Sequence, residues 1–299
     1  MQQRSAVRNW AEYLCARLLV GKLACLPRPL AEVVARGVTR CLDGAVPRMR
    51  AVAMRNLELA FPEMPEDRRG KIVDGVYRSL ARQLVVFSRF PRIDRRTVSR
   101  WIRYEGFEHF EEARRHGKGV LFATAHLGCW ELSAFSHALM ASPMHVVVRP
   151  LDNPLLDGWI ESRRSLSGNR IIGRGEYARS ILRALHNNEA VGILIDQNVA
   201  AGEGVFVDFF GVPACAGSAF ARFAAHSGAT VIPGFALWEP LEQRFVLKFY
   251  PPVPVTGDMV ADTQALYRQL ESVIRQYPDQ WLWIHRRWKT RPPGGTPVY

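Results

Sequence analysis

The sequence predicts an α/β fold with a mixed, mostly parallel sheet flanked by helices and preceded by a helical N-terminal region. Three long amphipathic segments with helical periodicity follow one another up to about residue 90. After about residue 101, short β-branched and aliphatic runs alternate with segments of helical length, which is typical of a sheet covered on both faces. We therefore expect a helical region over residues 1–95 and an α/β core over residues 96–299.

The helical region begins with an amphipathic segment, residues 5–26. At about 100° per residue, Arg8, Glu12 and Lys22 fall on one side of a helix, whereas Trp10 and several aliphatic residues occupy much of the rest. A basic helix with Trp, Tyr and Leu is typical of a segment that lies in a membrane interface. A helix packed on the protein's own core would show the same pattern, so both interpretations stay open.

The whole chain has a formal net charge of +12, and its basic charge is concentrated in the first third. Residues 1–100 hold 20 Lys and Arg against 9 Asp and Glu, whereas the other 199 residues hold 20 against 19. This imbalance indicates an anionic partner: nucleic acid, anionic lipid or an acidic protein. No nucleic-acid-binding motif accompanies the charge, and the basic surplus falls on amphipathic segments, so we expect a membrane surface rather than nucleic acid.

Two further features narrow the class of protein. The longest run without a charged residue, 132–148, has 17 residues and is interrupted by Pro143, so it is a poor candidate for a membrane-spanning helix of about 20 residues. The five cysteines are scattered without C-x-x-C spacing, which predicts reduced thiols rather than disulfides or zinc ligands.

Six short apolar runs predict the strands of the core. The last two are close enough in sequence to form a hairpin, so we expect one antiparallel pair in the sheet. The runs are GVLFATA (119–125), MHVVVR (144–149), NRIIG (169–173), AVGILID (190–196), ATVIPGFAL (229–237) and RFVLKFY (244–250).

The segment ATAHLGCWELSAF, residues 123–135, places three chemically capable side chains within six positions: His126, Cys129 and Glu131. In this frame His126 ends a strand and Glu131 lies in the first turn of the next helix, at the sheet edge where ligands usually bind. A carboxylate on one imidazole nitrogen fixes the tautomer and leaves the other nitrogen to act as a base. The alternative is a structural pair, with a Glu at a helix start and a His bonded to backbone.

The block GKGVLFATAHLGCWEL, residues 117–132, resembles the H-x-x-x-x-[DE] block of the bacterial lipid A late acyltransferases, and the related actinobacterial phosphatidylinositol mannoside acyltransferases share it. Five more blocks are similar in order and spacing, so the resemblance covers nearly the whole chain. They are RNLELAFPEMPEDRR (55–69), VVVRPLDNPLLD (146–157), ILIDQN (193–198), VFVDFFG (205–211) and WLWIHRRWKTRP (281–292).

The resemblance implies that His126 is the general base and Glu131 the acid that orients it. It places substrate contacts at Arg149, Arg163, Arg164, Asp196 and Gln197. For the arginines the alternative is a surface ion pair. Cys129 stands where many relatives carry Asn, and direct acyl transfer needs no thiol nucleophile.

The resemblance further implies an acyl carrier protein thioester as the acyl donor and a hydroxyl of a lipid A precursor as the acceptor, with no metal or redox cofactor. We expect the protein on the cytoplasmic face of the inner membrane, bound to the membrane surface. Trp281, Trp283 and Trp288 alternate with cationic residues, which predicts a place in the lipid headgroup layer. Two alternatives remain: a phosphatidylinositol mannoside or another lyso- or glycolipid as acceptor, and a non-catalytic membrane-binding protein on a degenerate fold.

Overall fold

The computed structural model describes residues 5–173 and 177–299, and it begins with four helices that confirm the predicted helical N-terminal part. Ser5 caps the first helix by accepting a hydrogen bond from the backbone N–H of Arg8, and Pro47 occupies the first turn of the third, where its missing N–H costs nothing. The helices are α1 (Ala6–Cys25), α2 (Arg28–Ala45), α3 (Pro47–Ala60) and α4 (Glu66–Arg89).

Beyond α4, strands and helices alternate as predicted. The strands of the sheet are β1 (Ile102–Glu105), β2 (Val120–Thr124), β3 (His145–Val147), β4 (Arg170–Ile172), β5 (Ala190–Leu194), β8 (Thr230–Glu239) and β9 (Arg244–Phe249), with β6 (Gly204–Phe209) and β7 (Val212–Gly217) as a separate hairpin. The helices are α5 (Phe107–Arg115), α6 (Trp130–Met140), α7 (Pro154–Arg164), α8 (Tyr177–His186), α9 (Ala219–Ser227) and α10 (Met259–Gln276).

The sheet is mixed and mostly parallel, which confirms the predicted fold class. Over the described residues its seven strands follow the order β1-β9-β8-β2-β5-β3-β4. The β8–β9 hairpin is antiparallel, and the other neighbouring pairs are parallel. The carboxyl ends of β2 and β5 therefore lie side by side in the middle of the sheet.

Two strand regions escaped the sequence analysis. Strand β1 is an edge strand that pairs with β9. It has only four residues, IRYE, and two of them are charged, so it lacks the apolar run by which the other strands were predicted. The β6–β7 hairpin turns through Phe210 and Gly211, which have φ angles of +60° and +76°. Tight hairpins require such left-handed residues, but the usual signal is Asn-Gly or Asp-Gly rather than Phe-Gly.

Helices α3 and α4 share one hydrophobic core with the β6–β7 hairpin and the C-terminal segment. Leu57 and Val73 from these helices belong to the same buried cluster as Phe209 and Trp281. The division of the chain near residue 95 stays a prediction, whereas this cluster ties the N-terminal helices to the sheet that carries the site.

The prediction that Trp281, Trp283 and Trp288 face lipid headgroups is wrong. All three side chains are buried in the core, and the neighbouring Arg287 is buried with them. Their indole N–H groups donate to protein acceptors rather than to a membrane: Trp283 Nε1 lies 2.7 Å from the carbonyl oxygen of Pro278. Alternation of aromatic and basic residues resembles an interfacial pattern, but here the aromatic rings fill the space between the hairpin and α3.

Among the described residues, no helix is both long enough and apolar enough to cross a membrane. Helix α1 packs Val20 and Leu23 against the protein, but its Trp10 and Leu18 are 53% and 64% exposed. Both interpretations of this helix are thus compatible with its packing, and membrane association stays a prediction.

Candidate active site

The turn that follows β2 fixes the backbone of His126. Leu282 N–H donates to the His126 carbonyl oxygen at 3.0 Å, and Gly128 N–H donates to the carbonyl oxygen of Gln280 at 2.9 Å. Gly128 has φ +64°, and a Cβ at this position would lie 2.0 Å from the carbonyl oxygen of Ala236. Only glycine fits this turn, which brings the chain from the strand into α6.

Asp196, immediately beyond β5, holds the imidazole of His126. Its Oδ1 lies 2.9 Å from His126 Nδ1, and its Oδ2 accepts hydrogen bonds from the His126 backbone N–H at 3.1 Å and from Trp281 Nε1 at 2.9 Å. The Asp196 side chain is only 3% exposed. The two residues meet because β2 and β5 are parallel neighbours, so their carboxyl ends lie at the same edge.

The pair shifts the pKa values of both groups. Burial acts to lower the pKa of His126, but the charge and hydrogen bond of Asp196 outweigh it, so the pKa lies above its ordinary value. Burial acts to raise the pKa of Asp196, but the charge of His126 and the three hydrogen bonds outweigh it and hold that pKa below its ordinary range. Asp196 is thus an ionised carboxylate. It accepts a hydrogen bond from the protonated Nδ1 of His126, which leaves Nε2 as the basic nitrogen.

Glu131 has a different partner from the one predicted. Arg164, at the end of α7, forms a bidentate ion pair with Glu131, with Nε to Oε2 at 2.9 Å and Nη2 to Oε1 at 2.5 Å. The prediction that Glu131 orients His126 is therefore corrected: Asp196 makes that contact. The reason is geometric. Glu131 lies in the first turn of α6, where its side chain reaches Arg164 of α7. The strand beside β2 is β5, and Asp196 follows the end of that strand close to His126.

The other predicted site residues divide into two groups. Gln197 Nε2 lies 3.5 Å from His126 Nε2, and Arg149 is an exposed residue that lines the same cavity. Arg163 instead donates to the carbonyl oxygen of Phe87 at 3.0 Å and stacks 5.1 Å from the ring centre of Trp159. Arg163 does not line the cavity, and its contacts are those of a residue that joins α7 to α4.

A cavity of about 820 Å³ lies beside these groups and is lined by α6 and by five strands of the sheet. Its wall is mainly apolar, and His126, Glu131, Arg149 and Arg164 line its exposed or half-buried part. The buried part of the wall includes Phe122, Met144, Gly192, Leu247 and Phe249. A cavity with polar groups near solvent and a buried apolar wall is suited to a molecule with a reactive head and a hydrocarbon tail.

Met144 and Gly192 lie together in the buried wall of the cavity. A Cβ on Gly192 would lie 2.6 Å from Met144 Cε, so the missing side chain makes room for the methionine. His137 also lines this part, at 1% exposure, and burial lowers its pKa to about 3. His137 is therefore neutral at physiological pH, and this wall of the cavity carries no charge.

Cys129 is unsuited to nucleophilic catalysis. It lies beside His126 in sequence, but its side chain is fully buried against the sheet and does not line the cavity. Burial raises the pKa of the thiol, which suppresses the reactive thiolate.

Sequence reasoning missed two roles. Asp196 was expected to contact substrate rather than to orient the base, and Trp281 was expected at a membrane rather than on the Asp196 carboxylate. A signal for the first was present: both His126 and Asp196 follow apolar strands, and adjacent strand ends meet at one edge. No sequence signal reveals which two strands are adjacent.

Known proteins of one family are similar to this chain over most of its length. The family model described as "Bacterial lipid A biosynthesis acyltransferase" matches residues 2–290. The lipid A biosynthesis lauroyltransferase of Escherichia coli K12 is 29% identical over 90% of this chain and 88% of its own, and the palmitoleoyltransferase of the same strain is 30% identical over 84% and 82%. The myristoyltransferase is 23% identical over 98% and 91%. The chain therefore belongs to the bacterial lipid A biosynthesis acyltransferase family.

Proposed function

We propose that this protein transfers a fatty acyl chain from an acyl carrier protein thioester to a hydroxyl of a lipid A precursor. The family to which it belongs acts in lipid A biosynthesis, and its relatives are acyltransferases by name. One observation carries the finer proposal: a half-buried His held by a buried carboxylate lines a large cavity whose wall is mainly apolar.

In the proposed reaction His126 is the general base. Its Nδ1–H donates to Asp196, so Nε2 accepts the proton of the acceptor hydroxyl. The acceptor oxygen attacks the thioester carbonyl carbon, and the tetrahedral intermediate then collapses with cleavage of the C–S bond. The imidazolium returns its proton to the departing thiolate, so the products are an ester and the free carrier thiol.

Arg164 is the proposed donor to the oxyanion. Glu131 engages its Nε and Nη2 atoms, which fixes the plane of the guanidinium and leaves Nη1 for the reacting oxygen. Burial acts to lower the pKa of Arg164, but the hydrogen bonds and charge of Glu131 raise it overall, so the cation persists throughout turnover. Glu131 is then a positioning residue that acts through the arginine.

The inner cavity is the proposed site for the hydrocarbon chain. The whole cavity has a volume of about 820 Å³, and its buried wall of Phe122, Met144, Leu247 and Phe249 allows a flexible apolar chain to leave water. Burial of each methylene contributes about 0.8 kcal/mol, so the cavity favours long acyl groups over short ones.

We also propose that the protein acts at the cytoplasmic face of the inner membrane, held there by the outer surface of α1 and α2. Exposed apolar side chains cluster on these helices beside the basic surplus of the chain, a combination typical of interfacial helices. The apolar residues are Val7, Trp10, Leu14 and Leu18 on α1 and Leu30, Val33 and Val34 on α2.

Transfer itself is the test. Purified enzyme should add one acyl group to a lipid A precursor when given acyl carrier thioester, and mass spectrometry should detect the product. If a phosphatidylinositol mannoside or another lysolipid is acylated instead, the acceptor assignment is wrong. If no acceptor is acylated and the thioester persists, the non-catalytic alternative replaces the proposal. Lipid A from a strain that lacks the gene should lose one secondary acyl chain.

A further inference from the structure

A second concave pocket, of about 240 Å³, lies between the N-terminal helices and the end of the β8–β9 hairpin. It shares no lining residue with the large cavity. Arg36 from α2, Arg78 and Arg82 from α4, and Trp238 from β8 form most of its wall, and we call it the arginine pocket. Glu32, Ala81, Pro240 and Gln243 complete the lining.

The arginine pocket has more cations than local carboxylates can neutralise. Glu32 is already ion-paired with Arg28 at 3.0 Å. Over residues 5–173 and 177–299, no carboxylate forms an ion pair with Arg78 or Arg82, and Asp279 acts on Arg82 only through its field.

Trp238 fixes one of these cations inside the pocket. The Arg82 guanidinium lies 4.7 Å from the ring centre of Trp238, while Arg28 stacks on the same ring at 5.6 Å. Burial lowers the pKa of Arg82; the fields of Asp279 and Glu32 oppose this shift, and the charges of Arg78 and Arg36 add to it. A half-buried cation beside like charges is destabilised until an anion joins it.

Guanidinium groups bind phosphate through paired, charge-assisted hydrogen bonds. The volume of the arginine pocket suits one phosphate-bearing headgroup, and its concave shape is a poor match for the convex acidic surface of a folded protein. The same helix α2 also carries the exposed apolar residues Leu30 and Val33. We propose that Arg36, Arg78 and Arg82 bind the phosphate of a membrane lipid headgroup, an inference that rests on the membrane contact proposed for α1 and α2.

The arginine pocket is connected to the turn beside the catalytic histidine. The Gln280 side chain accepts from Trp238 N–H at 2.8 Å and donates to the Trp238 carbonyl at 3.1 Å, and the Gln280 carbonyl accepts from Gly128 N–H at 2.9 Å. A lipid phosphate bound by the arginines that pack beside Trp238 would therefore fix the distance of the His126 sheet edge from the bilayer.

Short-chain lipids below their aggregation concentration test the arginine pocket without a bilayer. Calorimetric titration should detect binding of dihexanoyl phosphatidic acid but not of dihexanoyl phosphatidylcholine. The variant Arg36→Gln/Arg78→Gln changes two exposed residues, and it should weaken binding at least about tenfold, because it removes two charge-assisted contacts to the phosphate. The control Arg48→Gln/Arg68→Gln removes the same charge from exposed positions on α3 and α4.

The control should change affinity by less than about twofold, since neither residue lines the arginine pocket and both are exposed to screening by salt. Equal losses in the two variants, or no binding by the unmodified protein, would overturn the proposal. Inorganic phosphate that binds as tightly as the lipid would make this a free-phosphate site. A loss of affinity for acyl carrier protein, with lipid binding retained, would assign the pocket to protein docking.

Failure of the enzymatic proposal is distinguishable from failure of this one. His126→Ala should abolish transfer while it leaves binding of phosphatidic acid unchanged. Failure of the protein to bind vesicles of phosphatidylethanolamine and phosphatidylglycerol, with short-chain binding intact, would remove the membrane contact. That result would also overturn the proposal that the bound phosphate belongs to a membrane lipid.

Discussion

Replacing Asp196 by Asn tests which carboxylate supports His126, the proposed general base. Asp196 accepts one hydrogen bond at Oδ1, from His126 Nδ1, and two at Oδ2, from His126 N–H and Trp281 Nε1. An Asn side chain has one acceptor oxygen and one NH₂ group. If its oxygen takes the Oδ2 position, two donors stay satisfied and the NH₂ group faces Nδ1.

This orientation has the lower free energy. In the reverse orientation the His126 backbone N–H and Trp281 Nε1 would both face an NH₂ group, and each unsatisfied donor would destabilise the protein by about 1–3 kcal/mol. It obliges His126 Nδ1 to accept rather than donate, so the proton moves to Nε2 and the base is lost. General bases contribute about 10²–10⁴ to rate, and the wrong tautomer costs about 10⁴ in the serine-protease case. We therefore expect Asp196→Asn to lower kcat by about 10³ or more while the protein stays folded.

The assay compares Asp196→Asn with Glu131→Gln by acyl carrier thioester turnover over a range of pH. His126 must be neutral to act, so activity rises as pH increases through its pKa, which Asp196 holds above the ordinary value. Removing that charge should move the acid limb to lower pH. If Asp196→Asn keeps a tenth or more of the activity, or if only Glu131→Gln moves the limb, then Glu131 supports the base and our assignment is refuted.

Four further outcomes are expected. Arg164→Ala should lower kcat about 10²–10³-fold through loss of an oxyanion donor, and equal loss in the Arg163→Ala control would indicate a folding defect instead. Cys129→Ser should keep most activity, and an acyl adduct on Cys129 in the intact mass, formed at the rate of turnover, would contradict direct transfer. Met144→Ala should extend the preferred acyl chain in competition assays at a stability cost of about 2–5 kcal/mol, whereas an unchanged preference would place the chain elsewhere. Leu14→Gln/Leu18→Gln, at positions 50% and 64% exposed, should weaken vesicle flotation without lowering the melting temperature, and unchanged flotation would assign these residues to another surface.

The sequence predicted what depends on local pattern and misassigned what depends on spatial neighbours. Periodicity located α1 to α4 and the apolar strands, and the glycine turn placed His126 at the edge of the sheet. The partner of His126 depends on which strand lies beside β2, and that strand, β5, is about 70 residues away in sequence. Glu131 was only five residues away, and proximity in sequence favoured it over Asp196.

Surface and core were confused for a similar reason at the C-terminal end. The composition of WLWIHRRWKTR suits a headgroup layer and a packed core equally, because Trp offers a large apolar ring and one N–H in both environments. The β6–β7 hairpin decides between them, since Phe209 stacks on Trp288 and contacts Trp281, and that hairpin was not predicted. Because this hairpin was not predicted, the three tryptophans were expected at the surface, although they lie in the core.

The two ion pairs of the site have a shared electrostatic consequence. Asp196 and Glu131 contribute two negative charges and Arg164 one positive charge, so the four groups sum to −1 with a neutral His126 and to zero with an imidazolium. Glu131 raises the pKa of His126 through its field, and Arg164 opposes it. Pairing Glu131 with Arg164 largely cancels their effects on the base and leaves Asp196 as the dominant charge acting on it. In the proposed reaction, a proton that reaches His126 would bring the summed charge of these four groups to zero, while Arg164 keeps its positive charge for the oxyanion.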